Sequence, residues 1–423
     1  MILAPAFLRR RHLLGAAALS ALAPLPGLSL AGTARAGDAR LVLLILRGGL
    51  DGLAAVPAPG DPAFASARGA LGQFSEPMLA LGHTFALHPA LAQLHALYGQ
   101  GELAVVHATG LPYRERSHFE AQQLLESGGH RPHELATGWL GRALAGSRGQ
   151  AIALQSAVPL VLRGPAEVDT WAPSAAAEPA PDLLARLAQL YAGDPALAGA
   201  LHRARDLRVS GVSMSVPMTA PMNMPMSVAG ADMAGAAPAM AAAAPAAAAR
   251  PPLIHTLARQ AVEFLARPQG ARVAVLDMGG WDTHANQTSP QGALTTNLRA
   301  LDGALALLRE GLQAQRLWPK TAVLVMTEFG REVAMNGTQG TDHGSGGMAL
   351  LLGGAVRGGQ VIADWPGLAP KDRFAGRDLR ITTDLRAVFK TLLRDHLQVA
   401  SAVIDHDALP GTAGLATLPL LRG

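Results

Sequence analysis

Acids and histidines recur after apolar runs in this chain, at spacings that suit a bound cation. In Asp277-Met278-Gly279-Gly280-Trp281-Asp282-Thr283-His284 a carboxylate and an imidazole stand two residues apart in a glycine-loosened loop. Carboxylate oxygen and imidazole nitrogen both suit zinc or manganese. Glu328 follows the run Thr321 to Thr327, and the polar, Gly-rich stretch beyond it carries Asp342 and His343 up to a second run, Met348 to Leu352. Asp51 lies in Arg47-Gly48-Gly49-Leu50-Asp51-Gly52, directly after the run Leu41 to Leu46. Each also has a plain reading. Asp51 can cap a turn by accepting from nearby backbone amides, the Asp282–His284 pair can be a hydrogen-bonded turn, and Asp277 competes with Asp282 for one ligand role. Their recurrence at strand ends is what points to a shared metal site.

A nucleophile candidate lies in Arg116-Ser117-His118-Phe119-Glu120. Ser117 with Glu120 three residues on fits a capping box at a helix start. A hydroxyl in that place also faces oriented amides that favour developing negative charge, as phosphate or sulfate chemistry needs. Both readings stand at this point.

These residues need strands and helices to bring them together. Leu41–Leu46, Leu103–Ala108, Ala151–Leu154, Pro159–Leu162, Arg272–Leu276, Thr321–Thr327 and Met348–Leu352 read as strands from their short, apolar, β-branched runs. Helical periodicity falls between them: leucines at 91, 94 and 97, then Pro181–Tyr191, Pro195–Leu207, Pro252–Ala266, Leu294–Leu317 and Thr383–Leu397. Residues 57–88, rich in Pro and Gly, read as a long irregular excursion. The alternation predicts an α/β fold, a mostly parallel sheet flanked by helices on both faces, in which ligands gather at the carboxyl ends of strands. Nucleotide fingerprints fail: the Gly344-Ser345-Gly346 run precedes an apolar run instead of opening a helix. No G-x-S-x-G elbow exists.

Composition limits the partners. Of 35 basic residues, Arg9, Arg10, Arg11 and Arg35 fall within residues 1–36, which hold no Asp or Glu, so the rest carries 31 charges of each sign. A neutral chain is a poor match for nucleic acid. There is no cysteine, which removes disulfides, thiolate zinc sites and cysteine nucleophiles. Residues 1–36 have a basic patch, an apolar segment and Ala34-Arg35-Ala36, the plan of a signal peptide; Arg10-Arg11-His12-Leu13-Leu14 resembles a twin-arginine leader, with an ordinary secretory leader as the alternative. The expected partner is then the twin-arginine export machinery, the location periplasmic or otherwise exported, with no stable membrane span after processing. Residues 37–423 are expected to form a single domain, interrupted at 212–249 by a Met/Ala/Pro-rich insertion. That insertion reads as a low-complexity loop, with copper(I) binding by its thioethers as the alternative.

Taken together, Leu46–Gly52, Arg116–Glu120, Gly279–His284, Thr327–Arg331 and Gly340–Gly344 resemble the signature blocks of an exported bacterial family, domain of unknown function 1501. It looks like a remote branch of the alkaline phosphatase and sulfatase superfamily. The resemblance implies an alkaline-phosphatase/sulfatase-like fold, a cation-binding edge with Asp51, Asp282, His284, Glu328 and His343 as ligands beside Asp342, and Ser117 as nucleophile. It also implies a divalent ion (Zn, Mn, Mg or Ca) and a small anionic ester as substrate, with Arg47, Arg116 and His118 toward its oxyanion. His118, like His88 and His107, has the plainer reading of a core or loop histidine. Phosphatase members place an Asp-His pair where this chain has Glu328-Phe329, which points to a single ion. Without cysteine there is no formylglycine precursor, which sets a standard sulfatase aside. The implied function is an exported, metal-binding hydrolase of phosphate or sulfate esters. The competing reading is a non-catalytic exported binding or surface-assembly protein that keeps the fold.

Overall fold

The computed structural model describes residues 39–145, 151–174, 179–209 and 251–422. The leader expected at 1–36 and the Met-rich insertion at 212–249 lie outside the described residues.

The strands are β1 (Arg40–Leu46), β2 (Leu79–Leu81), β3 (Phe85–Leu87), β4 (Leu103–Gly110), β5 (Ala151–Ala153), β6 (Val168–Thr170), β7 (Val273–Met278), β8 (Thr321–Thr327), β9 (Gly347–Leu352), β10 (Gln360–Ile362) and β11 (Thr383–Asp384). The main sheet runs β10-β4-β9-β8-β1-β7-β5-β6, with β11 paired to the end of β4; β2 and β3 form a separate hairpin. Every pairing in the main sheet is parallel except those of β9, which runs antiparallel to both β4 and β8. The mostly parallel expectation therefore holds with one reversed strand.

β1 shows why the sheet is two-sided. Val42, Leu44 and Leu46 enter one core cluster, and Leu41, Leu43 and Ile45 enter the other. Alternate side chains of a strand point to opposite faces, so a run apolar at every position needs a cover on each side. On one face lie α3 (Ala92–Gly99), α8 (Leu253–Ala266) and α9 (Ala293–Ala314), and on the other α4 (His118–Ser127), α5 (Trp139–Ala143) and α10 (Leu385–Thr391). On that second face Trp139 stacks on Phe389 with ring centroids 4.6 Å apart. Among the described residues no helix is long and apolar enough to cross a membrane.

Several boundaries differ from the sequence reading. Pro159–Leu162 is not a strand: Leu160–Leu162 forms a 3-10 turn, because Pro159 supplies no ladder donor. The stretch 57–88 contains the β2–β3 hairpin. The helix expected at Thr383–Leu397 starts at Leu385, capped by the Asp384 side chain, and passes into a π-helical turn over Leu392–His396.

The register fixes which chain ends meet. Leu46 pairs with Met278 on one side and Thr327 on the other, so β1, β7 and β8 all end at one edge. Thr109, near the end of β4, pairs with Gly347, the first residue of β9. The loops after β1, β4, β7 and β8, and the loop that enters β9, therefore share one edge.

Candidate metal centre

Three loops deliver three imidazoles and a carboxylate to that edge. His118 opens α4 after β4, Asp282 and His284 follow β7, and His343 precedes β9. His343 Nε2 lies 3.0 Å from His118 Nε2, 3.1 Å from His284 Nε2 and 3.2 Å from Asp282 Oδ1. His284 Nε2 is 3.0 Å from Asp282 Oδ1, and His118 Nε2 is 3.6 Å from Asp282 Oδ2. Donor atoms of His118, Asp282 and His343 all lie within 4.8 Å of one another, a spacing that one ion can fill. Asp282 and His284 keep nearly half of their side-chain surface in solvent, so the group is open to a ligand.

The opposite ring nitrogens decide what this cluster can hold. His118 Nδ1 faces Glu328 Oε1 at 2.9 Å, His284 Nδ1 faces Asp342 Oδ1 at 3.2 Å, and His343 Nδ1 faces the Arg116 carbonyl at 3.0 Å. Ionised carboxylates and carbonyls only accept, so each Nδ1 carries the proton and donates it. In the neutral rings each Nε2 is then a bare lone pair, and those of His118 and His284 lie 3.0 Å and 3.1 Å from that of His343. This is how metal-binding imidazoles are held, with the far N–H tied to an outer acceptor. The donor set, imidazole nitrogens with one carboxylate, fits zinc or manganese and matches poorly the all-oxygen demand of calcium or magnesium.

Charge around the cluster acts on the two rings that touch it in opposite directions. The Glu328 bond raises the His118 pKa against the opposing effect of burial. Burial lowers that of His343, and the charge on His118 lowers it further, so the two rings do not readily protonate together. Burial pushes the Asp282 carboxyl up, but the bond to Arg331, the charges of Arg331 and His284 and the bond to His343 together outweigh this and hold it below the usual range. Asp342 is held low by the Asn336 amide, despite some burial, and by His284. Burial also works against Glu328, and its bond to His118 leads those that keep its carboxyl low.

Other expected site residues have different duties. Asp51 is not among the converging donors: Oδ1 caps α1 (Gly52–Ala55) by accepting from Leu53 and Ala54 amides, and Oδ2 accepts from Arg68 and Gln287, each at 2.6 Å. Glu328 turns away from the centre and orients His118, while accepting from Gly48 N and from Thr327 Oγ1. Asp342 likewise orients His284. Arg47 is tied to Glu126 at 2.6 Å and Asp277 at 3.0 Å. That pairing also takes Asp277 out of the ligand role. Arg116 is tied to Asp378 at 2.8 Å. Both arginines expected to meet an oxyanion are thus paired inside the protein. His118, expected to face a substrate, stands in the cluster with Asp282 and His343 instead.

Ser117 precedes α4 in extended geometry but makes no side-chain cap bond. The capping box does not form, because Glu120 accepts from the Tyr113 hydroxyl at 2.6 Å. Ser117 is flanked by two residues in contact with His343: Arg116 through its carbonyl and His118 through its ring.

Two residues escaped the sequence reading. Arg331, fully buried, donates to the carbonyls of Gly49, Thr341, Gly48 and Trp281 and to the Asp282 carboxylate. Its only sequence mark is its place at the end of the Thr327–Arg331 block. Gln287 is the second, and nothing in its sequence surroundings marks it.

No curated protein matches the chain. Among solved structures it is similar to the phosphonate monoester hydrolase of Agrobacterium radiobacter (12% identity, TM-score 0.39, covering 85% of this chain and 74% of that one). It is similar also to a putative sulfatase from Bacteroides thetaiotaomicron (9%, 0.36, 86% and 71%) and to the C-terminal periplasmic domain of EptC from Escherichia coli, in complex with Zn (11%, 0.35, 75% and 74%). At such scores the chemistry has to be read from the side chains of this chain. A family model does match, over residues 73–406, and on that match the chain belongs to the family described as protein of unknown function, DUF1501.

Proposed function

We propose that the protein holds one divalent transition-metal ion, zinc or manganese, with His118, His284, His343 and Asp282, and hydrolyses phosphate or sulfate esters with Ser117 as nucleophile. The observation that carries this is the grouping of His118, Asp282 and His343 within 4.8 Å, with His284 Nε2 3.1 Å from His343 Nε2 and all three Nδ1 protons donated outward. A bound ion would supply Lewis acidity to an ester oxygen. The chain supplies the rest. Ser117 Oγ is uncommitted to capping and lies at the start of α4, where unpaired amides favour negative charge. It would displace the alcohol from phosphorus or sulfur, and water would then release the anion and restore the serine. Glu328 and Asp342 hold the imidazoles in register.

Three measurements test this. Metal analysis of the purified mature chain should find about one ion, absent from a His284→Ala/His343→Ala double variant. Across a panel of phosphate and sulfate esters, Ser117→Ala should keep the metal and lose turnover. A chain still metal-free after incubation with zinc, manganese, magnesium and calcium sinks the reading.

One observation favours a second reading, a non-catalytic exported binding protein. Arg47 and Arg116 are spent on internal carboxylates, so no arginine named from the sequence is left for a substrate anion. Metal without turnover on any ester would select it. Export rests on the twin-arginine pattern at Arg10 and Arg11, and copper binding on the methionines of 212–249 alone; unchanged copper affinity after deletion of 212–249 would remove the latter.

A further inference from the structure

Behind the cluster lies a buried polar junction that the proposed chemistry does not use. Gln287 is 4% exposed, and its side chain bridges three elements. Its Oε1 accepts from Thr283 Oγ1 and Thr341 Oγ1, both at 2.8 Å. Its Nε2 donates to Asp51 Oδ2 at 2.6 Å. The amide orientation follows from its partners: an ionised carboxylate can only accept, so nitrogen faces Asp51 and oxygen faces the hydroxyls. Arg68, itself buried, pairs with the same Asp51 oxygen and ties the junction to α2 (Phe64–Arg68).

The placement of the two threonines gives the junction its meaning. Thr283 stands between Asp282 and His284, and Thr341 directly precedes Asp342 and His343. One amide oxygen thus fixes the backbone on both sides of the cluster. The loops are also joined directly, by Thr341 N to the Thr283 carbonyl at 3.2 Å and by Gln287 N to the Gln339 carbonyl at 2.9 Å. We propose that Gln287 is a positioning residue for the metal centre, setting the separation of the Asp282–His284 loop from the Asp342–His343 loop through the hydroxyls of Thr283 and Thr341. This rests on the metal-binding reading above. Donors need holding to within a fraction of an ångström, and outer partners do that work.

The test uses the full mature chain and cobalt(II), whose visible spectrum reports ligand geometry. Gln287→Met keeps the side-chain length and removes all three bonds. It should bind cobalt about 10- to 100-fold more weakly, the usual cost of losing an outer partner, with a changed visible band. Leu308→Ala, in the α9 core away from the junction, should lose thermal stability yet keep the wild-type spectrum and affinity. Thr341→Val, which deletes a single bond, repeats the test if Gln287→Met does not fold. A wild-type spectrum and affinity in Gln287→Met would overturn the proposal. If the wild-type chain takes no cobalt, the metal reading itself fails, and hydrogen exchange on the metal-free chain then decides. Faster exchange in Gln287→Met confined to 282–287 and 338–343 supports loop positioning, and unchanged exchange there overturns it.

Discussion

Two histidines of this chain share the plain reading of a core or loop histidine and have opposite fates. His107 is fully buried in β4, its Nε2 donating to the Val56 carbonyl at 2.9 Å while its Nδ1 accepts from Ala108 N at 2.8 Å. That second bond needs the backbone to turn back, which Ala108 achieves in a left-handed conformation (φ 51°) at a bulge in the β4–β9 ladder. Both ring nitrogens are satisfied only in the neutral form, and burial lowers the pKa from 6.5 to about 4. The folded state resists the proton that the unfolded chain accepts, so the stability this provides is complete above pH 6.5 and is lost as pH falls toward 4. The loss is about 3 kcal/mol. Unfolding free energies from urea melts at pH 7 and pH 4 should therefore differ by that much less in His107→Asn than in the wild type; equal differences would exclude His107 as the titrating group. The plain core reading of His107 thus matches its place in the structure, while for His118 it does not. The reason is physical: His118 starts α4, where its ring is turned by Glu328, a residue more than two hundred positions away. Residue type and a strand-end address were legible for Asp282, His284 and His343. Which oxygen of Glu328, Asp51 or Asp342 faces which partner was not, because local sequence does not encode a side chain's partners across the sheet.

At the scale of elements, the apolar runs located β1, β8 and β9 to within a residue. The reversal of β9 left no local mark, since a strand's direction is set by the connection that delivers it. Here that connection is the loop holding Asp342 and His343, and its packing is close. Gly48, at φ +119°, brings the loop after β1 against Asp282, where a Cβ would come within 2.7 Å of the Asp282 nitrogen. A Cβ on Gly340 would come within 2.2 Å of the His284 carbonyl carbon. Backbone cannot yield cheaply at that distance, so Gly340→Ala should force the two ligand loops apart. Overpacking of this kind costs about 1–3 kcal/mol. Zinc affinity, read by competition with a chromophoric chelator, should fall while the mid-sheet strands keep their hydrogen-exchange protection. Wild-type affinity in Gly340→Ala would show that the loops tolerate the displacement.

For the molecule as a whole, alternating strands and helices were enough to foresee a two-faced α/β sheet, because hydrophobic burial acts through the same periodicities that sequence displays. They were also enough to foresee an edge where the site residues gather. The donors at that edge come from His118, from Asp282 and His284, and from His343, stretches far apart in the chain and joined to different strands. On the metal-binding proposal, an ion held by all of them would cross-link the end of β4, the end of β7 and the start of β9. It would bind only when those strands are in register, and so would stabilise the folded state by mass action. With free zinc at a thousand times its dissociation constant the gain is about 4 kcal/mol. For a domain larger than 250 residues that corresponds to a rise in thermal midpoint of several degrees. Because imidazoles must shed any Nε2 proton to bind, the rise should shrink as pH drops through the histidine range. The comparison is a melt of chelator-treated chain with and without zinc at pH 7.5 and pH 5.5, beside the His284→Ala/His343→Ala variant. A zinc-dependent, pH-sensitive rise in the wild type alone ties the ion to the fold through these residues. An equal rise in the double variant would place the zinc elsewhere on the molecule.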